Sequence, residues 1–144
     1  MAPPTRVDPF TVLNFRLEIQ GLAASQFSEC NGLTSEVEVI EYRSGGQINT
    51  VRKIPGLRKF PNLTLKRGIT KDRELWEWHK TVLDGVTKRR DGSVVLLNAA
   101  GSEVLRWNFR QGWPTKYEGP ALNASSDEVA IETLEIAHEG LELA

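Results

Sequence analysis

One cysteine, two histidines and one methionine among 144 residues remove several kinds of chemistry at the outset. Cys30 has no second cysteine to meet, so neither an internal disulfide nor a cysteine-based metal cluster can form; such a residue reads as a small buried hydrophobe. His79 and His138 are far apart in sequence and lack ligand-type spacing to each other. Long apolar runs are missing as well, which excludes a spanning helix. The opening "MAPPTRVDPF" has no hydrophobic segment after Arg6, so no secretory signal is expected and the chain is expected to stay in the cytoplasm until something larger carries it elsewhere.

Reactive constellations are equally scarce. "GSEVLRWNFRQG" and "EGPALNAS" match neither Walker nor dinucleotide spacing, and no serine sits in a nucleophile elbow. Glu74 and Glu77 stand one helical turn apart, but Arg73 and Lys80 beside them make a salt-bridged solvent face the simpler reading. Glu132, Glu135, Glu139 and Glu142 divide between two faces if they lie on a strand, which weakens a cation site. No catalytic, cofactor-binding or metal-binding residue is therefore assigned, and the chain is not expected to be an enzyme.

What the sequence does have is a segregated charge. The net balance is only −1, yet "VRKIPGLRKFPNLTLKRG" holds six basic residues and no acid. After Lys116 every ionised side chain is acidic, from Glu118 to Glu142. One basic and one acidic segment can satisfy each other internally or join copies of the chain. A dedicated nucleic-acid binder fits less well, because the pI is near 6.1 and Phe60 is the only aromatic residue interleaved with the basic stretch.

The hydrophobic pattern is mostly that of strands. Leu13, Phe15, Leu17 and Ile19 alternate with polar residues. "SEVEVIEY" alternates again, with Val37 and Val39 opposed by Glu36 and Glu38. "SVVLLN" and "EVLRWNFR" read as two strands joined through "AAGS", with Leu105, Trp107 and Phe109 on one face. "QGWPTKYEGPALNASSD" reads as a Gly/Pro-rich excursion in which Trp113 is a loop anchor or an interface aromatic. In "EVAIETLEIAHEGLEL" Val129 and Ile131 are expected to point inward before the apolar set changes phase at Leu134 and Ile136, which implies a bulge or two faces that both bury something; a helical reading also fits. "TKDRELWEWHKTVLDG" is the one strong helix, with Thr70 as cap, Asp84-Gly85 as stop and a stripe of Leu75, Trp78, His79, Val82 and Leu83.

These elements predict a mainly β domain over residues 10–144, an antiparallel β-barrel or tightly curled sandwich with one flanking α-helix, preceded by a flexible N-terminal arm at 1–9. The interval 43–61, from Arg43 to Pro61, is expected to project as a long loop or distorted hairpin.

Eight stretches in order, "NFRLEIQGL", "FSECNGL" followed by "EVIEYRSGG", "RKIPGLRKFPNLTLKRGIT", "LWEWHKTV", "RRDGSVVLLNAAG", "RWNFRQGWPTKYEGPALNA" and "EVAIETLEIAHEGLE", resemble the tail tube protein family of contractile phages and phage-tail-like extracellular injection systems. The resemblance runs from about Pro9 to Glu142 and extends to the type VI secretion tube subunit. It implies a β-barrel with a flanking helix, six copies closing into a ring, and rings stacking into a hollow tube inside a contractile sheath. It also implies baseplate and spike proteins as partners, a lumen that can hold cargo, no catalytic residues and no cofactor. Neither specific nucleic-acid binding nor stable membrane insertion is expected. The interval 43–61 resembles the family's extended element that reaches neighbouring subunits. The expected contact set is Arg43, Arg52, Lys53, Arg58 and Lys59 on the basic side and Glu132, Glu135 and Glu139 on the acidic side, with Trp113 as an aromatic contributor. Phage tail and injection device both remain open at this point.

Overall fold

The computed structural model describes residues 14–43, 45–46, 49–125 and 128–144. The arm expected at 1–9, and Leu13, lie outside the described residues. Among the described residues ten strands and one helix follow in chain order: β1 (Asn14–Ile19), β2 (Ser25–Gln26), β3 (Glu29–Asn31), β4 (Glu36–Tyr42), β5 (Arg52–Lys59), β6 (Leu63–Gly68), α1 (Glu74–Leu83), β7 (Arg90–Leu97), β8 (Glu103–Glu118), β9 (Ile131–Ala137) and β10 (Gly140–Leu143). All pairings are antiparallel. The main sheet runs β2-β1-β7-β8-β9-β6-β3, with β10 beside β8, while β4 and β5 pair with each other. Among the described residues β2 and β3 end the path without meeting, so the sheet curls over itself but does not close into a barrel.

The curl is made by β8, which is 16 residues long. Its first half lies between β7 and β10, and its second half pairs with β9. Where it passes from one layer to the other, Gln111 takes φ 53°, and its amide donates to Asp91 Oδ1 at 2.9 Å. Phe109 fills the inside of this bend and is 2% exposed. A Cβ on Gly92 would come within 2.8 Å of the Phe109 ring and 2.7 Å of the Glu18 carbonyl oxygen, and one on Gly112 within 2.7 Å of the same ring. The ring thus occupies the volume that side chains at both positions would need.

Around Phe109 the core takes Leu17 and Ile19 from β1, Leu63 and Leu65 from β6, Val94 from β7, and Leu134 and Ile136 from β9. Leu75 and Trp78 of α1 close it. Cys30 packs against this core, where burial pushes its thiol up to about 11. Of the expected helical stripe, Leu83 falls outside the buried face, at 62% exposed. Thr70 does not cap α1: its Oγ1 accepts from the Asp72 amide, and Asp72 Oδ1 takes the Glu74 amide at 2.9 Å. The intervening Lys71-Asp72-Arg73 turn moves the helix start forward. Gly85, at φ 79°, stops the helix as the Asp84-Gly85 pair indicates, with the Gly85 amide bonded to the Val82 carbonyl and the Val86 amide to that of Thr81. Trp76 and Trp78 separate as their spacing requires: Trp78 enters the core, while Trp76 meets the Tyr117 ring edge-on at 5.3 Å.

Two further sequence expectations are corrected. "QGWPTKYE" is the second half of β8 and not an excursion. Pro114 is accommodated beside a register shift between Pro114 and Lys116, and its carbonyl lies 3.0 Å from His79 Nδ1. In β9 the register against β6 is unbroken, so there is neither bulge nor phase change. The inward set is Glu132, Leu134 and Ile136, whereas Val129 and Ile131 lie exposed.

Packing around Phe109 predicts that Gly92→Ala destabilises the subunit by about 1–3 kcal/mol, the usual cost of overpacking. Because the obstruction is the ring, Gly92→Ala combined with Phe109→Leu should lose less than the sum of the two single changes. Urea denaturation of the four proteins measures this, and strict additivity would show that the ring is not what Gly92 accommodates.

Candidate assembly surface

The hairpin β4–β5 stands apart from the curled sheet, and apart from Gly56 every residue of its two strands is exposed. Two-stranded ribbons are marginal on their own in water, and this one carries Val37, Val39, Ile40, Tyr42, Ile54 and Leu57 as exposed large apolar side chains. Its alternation resembles that of a half-buried strand, yet nothing among the described residues buries it. The expected irregular stretch around Pro55 and Gly56 is a strand with a register shift between Val37 and Val39.

The basic residues of the interval 43–61 are arranged by this pairing. Arg52 lies opposite Tyr42, Lys53 opposite Glu41, Arg58 opposite Val37 and Lys59 opposite Glu36. Arg43 follows β4 and is exposed. The hairpin therefore brings its own acids to face Lys53 and Lys59, so part of the charge is answered locally and not by the C-terminal third.

The acidic residues scatter. Glu135 sits on the outward side of β9, partly buried, and accepts from Asn62 Nδ2 at 2.9 Å. Glu139 lies between β9 and β10 and faces Arg89 at 3.4 Å. Glu132 turns into the core: it is 3% exposed, pairs with Arg67 of β6 and accepts from Tyr117 Oη at 2.6 Å. Asp72 stands 3.7 Å from the same guanidinium, and Phe27 lies under it at 5.5 Å. Burial, then the hydrogen bond to Glu132 and the charge of that carboxylate, pushes the Tyr117 hydroxyl up to about 12 despite Arg67 nearby. Glu132 is thus held inside its own subunit and is withdrawn from the contact set. Trp113 is half-buried on β8, opposite Ala137.

The base of the hairpin is fastened to the sheet. His138 is buried, its ring nitrogens lie 3.1 Å from the carbonyls of Pro61 and Gly140, and its ring contacts those of Phe60 and Phe109. Between this base and the outer face of β1, β7, β8 and β10 runs an open groove of about 890 Å³, bordered by Arg58, Phe60, Asp91, Arg110 and Glu142. On the same outer face Arg106 and Arg16 both bond Glu18 at 2.9 Å. Burial alone would raise the Glu18 carboxyl, but these two guanidiniums outweigh it and hold it below its usual range.

A curled antiparallel sheet with one helix and a detached, half-apolar hairpin is a design for association. The model of the T4-like virus tail tube protein gp19 family matches residues 11–142. This chain belongs to that family. As a tail tube protein it is similar to a chain in the cryo-EM structure of an extracellular contractile injection system, the PVC sheath-tube complex in its extended state, with 25% identity and a TM-score of 0.85 over 94% of this chain and 91% of that one. It is also similar to a chain of the anti-feeding prophage cap, the AFP tube terminating cap, with 25% identity and a TM-score of 0.88 over 99% and 95%. Hcp1 from Flavobacterium johnsoniae shares the fold, with 16% identity and a TM-score of 0.58 over 91% and 94%. Among curated proteins none matches this chain.

The exposure of the hairpin's apolar side chains could not be read in advance, because alternation in "SEVEVIEY" looks the same whether or not the same copy covers it. Sequence reasoning also missed Arg67 as a core residue; the signal available was that Arg67 continues the inward set of Leu63 and Leu65.

The buried pair predicts that Glu132→Gln, which leaves Arg67 without its closest counter-ion, costs about 3–5 kcal/mol. Replacing both, Arg67→Met with Glu132→Leu, should cost less. Denaturation midpoints decide, and an equal or larger loss in the double variant would overturn this account of the pair.

Proposed function

We propose that this chain is a structural subunit of the inner tube of a contractile injection system or phage tail, closing into hexameric rings that stack into a hollow tube. Residues 10–144 form the tube-subunit domain, and 43–61 is its assembly segment. The observation that carries this reading is family membership together with a hairpin whose apolar residues stay wet in the isolated subunit; exposed apolar surface of that kind marks an interaction site. A ring requires two different, complementary surfaces on each copy, since a single self-complementary patch stops at a dimer. The hairpin, with Arg43, Arg52, Lys53, Arg58 and Lys59, supplies one of them. Glu135, Glu139 and Trp113 contribute to a separate contact between copies, beside the base of the hairpin.

The similar chains support the wider setting: one belongs to a sheath-tube complex, one to a tube cap, and another to a baseplate described as 6-fold symmetrised. The partners of this chain are accordingly its own copies, a contractile sheath protein, and baseplate and spike proteins, with cargo able to occupy the lumen. Its role is mechanical and not catalytic. Assembly takes place in the cytoplasm, and the finished particle acts as a phage tail or extracellular device.

Electron microscopy of the purified protein at high concentration, or co-expressed with its baseplate, should show rings or tubes; a strictly monomeric species under both conditions would sink the reading. Charge reversal at Arg52, Lys53, Arg58 and Lys59 should impair assembly while leaving circular dichroism and the denaturation midpoint unchanged. Normal tubes from that variant would remove the role given to the hairpin's charge.

A further inference from the structure

Strands β6 and β9 run side by side from Leu63 opposite Ile136 to Gly68 opposite Ile131. At the first end the hairpin departs, fastened through Pro61 and Asn62. The other end, five residue steps or about 17 Å away, is also apolar. There the Ile69 amide bonds the Ala130 carbonyl, and Ile69, Leu122, Val129 and Ile131 are exposed, Leu122 and Val129 at 89% and 77%. Pro120, Ala121, Leu122, Val129, Ala130 and Ile131 line most of a recess of about 430 Å³ at this end. Of fourteen large hydrophobic side chains exposed among the described residues, seven belong to the hairpin and its approach, Val37 to Leu57, and these four form the second group. The remainder lie at the end of α1 and the C-terminus.

We infer that this recess is the socket for the β4–β5 hairpin of a second copy of the chain, so that each subunit carries a plug at one end of the β6–β9 pair and a socket at the other. This deepens the tube-subunit reading and rests on it. Apolar side chains at both places match in kind. Their charges are opposite in sign: the hairpin from Glu36 to Lys59 carries five bases against three acids, while Glu118 to Ile131 carries acids and no base. Opposite rims of this sort steer encounter and reject contacts of hairpin with hairpin or socket with socket. Because plug and socket sit at opposite ends of one rigid strand pair, a second copy that fills the socket presents its own empty socket further on. Such a head-to-tail contact propagates, as stacked rings must, and does not terminate in a pair.

Photocrosslinking on assembled protein tests this. Leu57 is replaced by p-benzoylphenylalanine, light and heavy-isotope copies are mixed, tubes are formed and irradiated, and the adducts are mapped by mass spectrometry. Light-heavy adducts within residues 119–131 are expected, and Leu122→Asp combined with Val129→Asp should lower their yield at least ~10-fold, the effect of losing a contact at the centre of an interface. Tubes that form normally with adducts mapping elsewhere would overturn the socket and leave the tube-subunit reading intact. Failure of the wild-type chain to form rings or tubes at all would overturn both.

Discussion

The bend of β8 around Phe109 is the constraint on which the rest of the subunit depends. One strand serves two layers, so the residues at its crossing cannot be chosen for strand propensity alone. Gln111 adopts a left-handed conformation, held by Asp91, and Gly92 and Gly112 leave their side-chain volume to the ring. Flattening the bend would separate Val94 and Leu17 on one layer from Leu134 and Ile136 on the other. It would also detach His138, which touches Phe109 on one side and holds the hairpin base through Pro61 on the other. The position of the hairpin is thus set by packing at a bend that is itself no part of it.

A second, electrostatic constraint orders the far layer. Placing Arg67 and Glu132 in the interior is costly unless each has its counter-ion and further hydrogen bonds. Tyr117, Asp72 and Phe27 supply those contacts from β8, the α1 approach and the loop before β3. The pair also fixes the register of β6 against β9, because a slip of one strand by one residue would turn one charge outward and leave the other buried without it.

Much of the fold was legible wherever a segment buries one face against its own chain. The alternation of Leu17 and Ile19, the β7–β8 hairpin and the helix with its Asp84-Gly85 stop all follow from local pattern. Legibility failed in three places for three reasons. The inward set of β9 begins with Glu132, whose partner is 65 positions away, so the pattern looked out of phase. Pro114 lies inside a strand because a register shift there removes the need for its missing donor. Val37 and Val39 of the hairpin obey the same alternation as a core strand, although both are exposed in the subunit. Of the candidate site, the basic arm could be read from composition, whereas the scattering of Glu132, Glu135 and Glu139 required the register of β9.

Cys30 has a bearing on the life of the assembled particle. A tube repeats its subunit many times, so one reactive thiol per chain would become a dense array of them once the particle reaches an oxidising exterior. Thiolate, and not thiol, attacks a disulfide. With burial holding the Cys30 thiol near 11 instead of its ordinary 9.0, the attacking form is about a hundredfold scarcer at neutral pH. Tucked against the core, the single cysteine of each tail tube subunit is poorly placed to join one copy to the next.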